Sequence, residues 1–151
     1  MTVLENSAVI ESTPAKVWEI LASLATLELY DPAVAKSQIV SPSQTGPGAM
    51  RRCELVAGGW FEEKIVAWNP PTGLSFQLVS CSLPVRHLVH SYVLSPSGTG
   101  TLVQQRMEYQ LKFGPVGRVM DALMVRSKWD TGIKSFFAGL KAYAETGRQK
   151  D

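Results

Sequence analysis

Most of this chain alternates hydrophobic and polar residues with a period of two, and two stretches switch to a helical period. The alternation is cleanest late in the extended region. Val103, Gln105, Met107, Tyr109, Leu111 and Phe113 fall on one side, and Leu102, Gln104, Arg106, Glu108, Gln110 and Lys112 on the other. Neighbouring side chains of a strand point to opposite faces, so the pattern describes a sheet with one buried and one wet side. The same reading places strands at about 3–11, 35–41, 49–56, 60–68, 73–80, 85–95 and 100–113. The stretches "SQTGPG", "AGG", "NPPTG", "CSLP" and "SPSGTG" separate the last six, and all are turn compositions. Short turns between successive strands predict an antiparallel meander.

The first helical stretch is "STPAKVWEILASL". Thr13 is a good N-cap and Pro14 suits the first helical position. Val17, Trp18, Leu21 and Leu24 follow at helical spacing. "ATLELYDP" predicts a second, short helix stopped by Asp31-Pro32. The other stretch is one long helix over about 115–146, with Pro115 in its first turn and Gly147 at its stop. Val116, Val119, Met120, Leu123, Ile133, Phe137, Leu140 and Ala144 form its apolar stripe. Arg126, Ser127, Asp130 and Thr131 interrupt that stripe, and Gly132 is the expected place for a bend. The order is strand, two helices, six strands, long helix, an α+β arrangement. A meander with one apolar face needs a cover, and only the C-terminal helix is long enough. A curved sheet wrapped round one helix leaves a concavity of the kind that small-molecule sites favour.

Composition narrows the function classes. With 151 residues, 45% hydrophobic and 19% charged, the chain is expected to be a single globular domain over 1–151 that needs no disulfide staple. Cys53 and Cys81 read as reduced thiols. A net charge of +2, with no stripe of Lys and Arg, argues against nucleic acid as a partner. The start "MTVLENSAVIEST" has no signal-peptide pattern, and no apolar run approaches the ~20 residues of a membrane span. The expected location is therefore cytoplasmic. His87 and His90 point oppositely in a strand, and with two distant cysteines they leave no metal site. "SPSGTGT" lacks the lysine of a phosphate loop, "GPVGR" lacks a dinucleotide fingerprint, and there is no "GxSxG" elbow. No cofactor is implied.

The candidate chemistry begins with "GWFEEKIVAWNPP". Phe61, Glu63, Ile65 and Ala67 form one row, and Trp60, Glu62, Lys64, Val66 and Trp68 the other. The first row holds one charge and the second holds two, so Glu63 is the carboxylate expected on the concave side. A buried ionised carboxylate must find a cation, become protonated or border a wet cavity. Gln105 and Tyr109 lie on the inward row of the last strand, and a buried Gln needs a partner that a ligand would supply. In "PVRHLVHSYVLSP", Arg86, Leu88, His90, Tyr92 and Leu94 share one face. The pattern does not choose whether that face points in. If it does, His90 and Tyr92 bring polar tips to an aliphatic row. Met120 and Met124 suit either the pocket or ordinary core packing, and so does Phe76.

The order of elements, with "VIESTPAKVWEIL", "GPGAMRRCEL", "EEKIVAWNPPTGLSFQLV", "GTGTLVQQ" and "FFAGLKAYAE", resembles the START-like (SRPBCC) superfamily. Within it, the chain looks most like the polyketide cyclase/dehydrase and lipid-transport branch. The resemblance implies a helix-grip fold: a seven-stranded curved antiparallel sheet round the C-terminal helix, with a ligand cavity between. It turns the face shared by Arg51, Cys53 and Leu55 inward, where Arg51 would pair with Glu63. The plant abscisic-acid receptors, distant members, have a ligand-binding lysine that would fall near Lys36 in "VAKSQ", and their inward glutamate matches Glu63 in "EKI". "LVAGGW" replaces the gate of those receptors.

The expected function is binding of a small hydrophobic molecule bearing polar groups, oriented by Glu63, His90, Tyr92 and Gln105. One alternative is a polyketide cyclase or dehydratase with Glu63 or His90 as base and Tyr92 or Arg51 at the oxyanion. Another is a protein-interaction module of the same fold. The oligomeric state is open between monomer and homodimer.

Overall fold

Seven strands form one antiparallel sheet in the computed structural model, which describes residues 1–151. They are β1 (Thr2–Ile10), β2 (Val34–Ile39), β3 (Met50–Leu55), β4 (Trp60–Asn69), β5 (Gly73–Cys81), β6 (Val85–Ser97) and β7 (Gly100–Leu111). The spatial order is β1-β7-β6-β5-β4-β3-β2. Strands β2 to β7 are thus a meander, and β1 closes against β7. Between β1 and β2 the chain crosses from one edge to the other through helix α1 (Pro14–Ala22) and a 3-10 turn (Leu27–Leu29). Thr13 caps α1 by accepting from the Lys16 N–H at 3.2 Å, with Pro14 in the first turn. The 3-10 turn is tied to β2 by a reciprocal pair: the Glu28 N–H donates to Ser37 Oγ at 3.3 Å and the Ser37 N–H to Glu28 Oε1 at 3.1 Å.

The sheet is bent by bulges at Val34/Lys36, Glu62/Glu63, Ile65/Ala67 and Val85/His87. Each extra residue twists its strand and breaks the period of two. A strict alternation puts Trp68 outward. The bulge after Ile65 turns it inward instead, and its ring meets Trp18 of α1 edge-on at 4.9 Å.

The expected single C-terminal helix is a continuous helical path in three parts: α2 (Gly114–Met120), a π turn (Asp121–Val125) and α3 (Arg126–Thr146). Helix α3 covers the sheet with Ile133, Phe136, Phe137, Leu140 and Ala144, and Gly147 ends it in the left-handed conformation. The irregularity lies at the π turn, not at Gly132. The first half of the apolar stripe is also not core. Val116, Val119 and Leu123 are exposed, Met120 is half-buried, and Phe113 is exposed with φ of 73°, so the strand alternation ends at Leu111.

Asp121 supplies the reason. It is buried, and its carboxylate accepts from Thr2 Oγ1 at 2.5 Å, Arg126 Nη2 at 2.9 Å and the Tyr109 hydroxyl. Burial alone would raise its pKa, but these three donors hold it below the usual carboxylate range. An ionised group with that many partners fixes which side of the helix faces inward, so the apolar residues opposite it face out. No helix is long and apolar enough to cross a membrane.

Candidate functional site

The register of five neighbouring strands assembles the site. Arg51 on β3 is the direct partner of Glu63 on β4, Phe76 on β5 partners His90 on β6, and Tyr92 on β6 partners Gln105 on β7. All six side chains lie on the concave face and are buried. Arg51 donates from Nε to Glu63 Oε1 at 2.8 Å, and its Nη2 lies 2.8 Å from the same oxygen in an ion pair. The other carboxylate oxygen, Oε2, lies 2.6 Å from His90 Nε2, and His90 Nδ1 lies 3.1 Å from the Tyr92 hydroxyl. The Glu63–His90 contact spans the intervening strand β5. Phe76 lies between, stacked on the His90 ring at 5.0 Å and carrying the Arg51 guanidinium 4.4 Å from its ring centre.

The electrostatics follow from this packing. Burial alone would raise the pKa of Glu63, but the charges of His90 and Arg51 outweigh it and bring the carboxyl down to about 2. Glu63 is therefore ionised and acceptor-only, so the Nε2 of His90 carries the proton between them. The other ring nitrogen, Nδ1, faces the Tyr92 hydroxyl. Burial lowers the pKa of Arg51, but the Glu63 charge more than offsets this and the guanidinium stays charged. Burial pushes the Tyr92 phenol up, so it stays protonated as a hydrogen-bonding group. Burial likewise pushes the Cys53 thiol up to about 12, which removes it as a nucleophile.

This row borders a cavity of about 680 Å³ between the sheet and α3. Twenty of its 29 lining residues are hydrophobic, a balance suited to a mostly apolar small molecule held at few polar points. Leu21 and Leu27 line the front, Phe61, Leu78, Leu88 and Met107 the sheet wall, and Trp129, Ile133 and Phe136 the helix wall. Val56, Ala57, Gly58 and Lys128 are exposed lining residues and mark the mouth. Gln105 is only 3% exposed, and its Oε1 has no hydrogen-bond donor. No group of three or more His, Cys, Asp or Glu side chains is placed to hold a metal ion.

Of the residues singled out in the sequence, Arg51, Glu63, Phe76, His90, Tyr92 and Gln105 all line the cavity. Four others do not. Lys36 is exposed, because the bulge between Val34 and Lys36 lets Val34 and Ser37 both face inward and turns the lysine out. Tyr109 is fully buried but engaged with Asp121 and packed on Trp129, 4.6 Å between rings. Met120 is half-buried and Met124 exposed, both turned from the cavity by the Asp121 anchor. Leu88 and Met107 were legible as row-mates of His90 and Gln105. Tyr30 and Lys128 were not, since nothing local in the sequence marks them. Lys36→Ala is expected to change unfolding free energy by no more than about 0.5 kcal/mol. A urea titration showing a larger loss would place that side chain in buried contacts.

The fold has solved counterparts. A crystal structure of TTHA0849 from Thermus thermophilus superposes with a TM-score of 0.81 at 20% identity, covering 95% of this chain and 97% of that one. Ginseng major latex-like protein 151 from Panax ginseng gives 0.71 at 15% identity, covering 95% and 97%. Ara h 8.0201 gives 0.73 at 16% identity with the same coverage. In sequence, uncharacterized proteins of Mycobacterium tuberculosis and Mycobacterium bovis are 24% identical over 142 residues, 93% of this chain and 83% of each relative. The family model for polyketide cyclase/dehydrase and lipid transport matches residues 1–145. With its helix-grip architecture and nearly full-length match, this chain belongs to the polyketide cyclase/dehydrase and lipid transport family.

Proposed function

We propose that this chain, as one ligand-binding domain, binds a small hydrophobic molecule in the cavity as a carrier or sensor. The observation that carries the reading is Gln105. Its Oε1 is a buried acceptor with no donor, set in a largely apolar wall, and buried acceptors rarely stay unpaired. The ligand is therefore one that brings an O–H or N–H to Gln105 and buries apolar surface elsewhere. Arg51 Nη1, which makes no hydrogen bond within the chain, is a donor for a carbonyl or carboxylate oxygen. Native mass spectrometry of freshly purified protein, then extraction, is expected to yield such a molecule.

Gln105→Leu separates this role from a structural one. The substitution removes an unpaired acceptor together with an amide that otherwise meets the Tyr92 hydroxyl, so ligand-free stability is expected to fall by no more than about 1 kcal/mol, while the lost hydrogen bond weakens binding of the extracted compound by about tenfold. A variant that loses more stability than that without ligand and binds as tightly as wild type would defeat the proposal.

The catalytic reading, a cyclase or dehydratase, is favoured only by the His90–Tyr92 pair at the cavity wall. Glu63 suits it poorly as a base, since both oxygens are held and its proton affinity is low. In that reading His90 takes the proton and Glu63 orients the ring.

A further inference from the structure

We propose that the exposed apolar ridge over residues 113–124 docks on an anionic lipid surface beside the cavity mouth. Phe113, Val116, Val119, Leu123 and Met124 are 57% to 76% exposed; Phe113 immediately precedes α2, and the other four recur turn by turn along α2 and the π turn. The buried side of the same path holds Gly117 and Asp121. This is an amphipathic helix worn inside out, with its apolar face in water, and such contiguous exposed apolar surface marks an interaction site. The anchoring of Asp121 by Thr2, Tyr109 and Arg126 makes this orientation part of the fold.

Charge identifies the occupant. Lys112, Arg118 and Lys128 border the ridge, while Arg126 is paired with Asp121, the one acid within 112–128, so this segment carries +3 while the whole chain carries +2. Cations flanking an apolar stripe fit a membrane interface, which offers acyl chains and anionic headgroups at adjoining depths. A second copy of the ridge would bring like charges together. Both ends of the segment adjoin the cavity. The Lys112 N–H donates to Pro84 O at 2.9 Å, between the lining residues Leu83 and Val85, and Lys128 itself lines the mouth. The ridge thus sets the mouth against the surface from which a hydrophobic ligand would enter. That purpose rests on the cavity reading, but the docking itself is measured without ligand.

The test is co-sedimentation with equimolar phosphatidylcholine–phosphatidylglycerol vesicles at low salt, against pure phosphatidylcholine vesicles. Wild type is expected to partition onto the mixed vesicles, weakly onto the neutral ones, and less as salt rises. Val119→Asp with Leu123→Asp is expected to lower partitioning at least about tenfold. Circular dichroism and the urea midpoint should stay unchanged, because both side chains are exposed. Arg118→Glu, which leaves the ridge apolar and takes the segment from +3 to +1, is expected to weaken the preference for anionic vesicles. Wild type that stays in solution with mixed vesicles overturns the proposal. So does undiminished binding by either variant, and so does sedimentation velocity showing that the ridge pairs protein copies instead. Native mass spectrometry of the same variants reads cavity occupancy separately. Wild type that carries a ligand yet stays off the mixed vesicles fails the docking reading and leaves the cavity reading standing.

Discussion

Replacing Glu63 by Gln is expected to destabilise the protein by about 3–5 kcal/mol, the usual cost of breaking a buried ion pair from one side. The amide keeps the shape of the carboxylate but not its charge. Arg51, buried and held on Glu63 Oε1, is then an uncompensated cation over the Phe76 ring. At the other oxygen position the amide nitrogen meets the proton-bearing Nε2 of His90, so one donor faces another unless the ring changes tautomer.

The same group predicts a pH signature. Its folded pKa of about 2 lies below the ordinary value of 4.5, so its contribution to stability is present above pH 4.5 and is lost as pH falls towards 2. The size is on the order of 3 kcal/mol. Urea midpoints measured from neutral pH downward should therefore fall for wild type across that window, and Glu63→Gln should lack that part of the fall. Identical pH profiles for the two proteins would mean that Glu63 is not held as described.

The second large effect is at Gly139, and its sign opposes helix propensity. Ala is ordinarily better than Gly in a helix interior by about 1 kcal/mol. On α3, however, a Cβ at residue 139 would stand 1.9 Å from the carbonyl oxygen of Tyr30. That atom is backbone, so the helix itself must move off the segment between the 3-10 turn and β2. Such a shift disturbs the stack of Tyr30 on Tyr143, 5.5 Å between rings, and its contact with Phe136 at 5.8 Å. Gly139→Ala is expected to cost about 3 kcal/mol or more. Gly132→Ala on the same helix meets nothing within 4 Å and is expected to gain up to about 1 kcal/mol. Thermal midpoints moving the same way for both would refute the close approach at residue 139.

How much of this was readable in advance depended on whether the information was local. Strand number, antiparallel pairing, the Thr13 cap and the Gly147 stop follow from alternation, turn composition and capping chemistry, which act over a few residues. The inward placement of Gln105 follows from a strand whose period is unbroken from Leu102 to Leu111. Glu63 was legible because its row carries a single charge. Alternation misplaces Trp68 and the family resemblance misplaces Lys36, in both cases because a bulge shifts the count by one and depends on the neighbouring strand rather than on the residues beside it.

The chain by itself therefore determined the inventory of elements, their pairing sense and the type of polar residue offered to the interior. Tertiary structure alone decided that Glu63 reaches over β5 to His90, that Asp121 claims the inner side of the last helical path, and that Val116, Val119 and Leu123 are left in water. The reason is physical. Side-chain periodicity is a property of one strand or helix, but the demand of a buried charge for partners is met across the fold. Where the two conflict, as at Asp121, three donors to an ionised carboxylate outweigh the burial of a few aliphatic side chains.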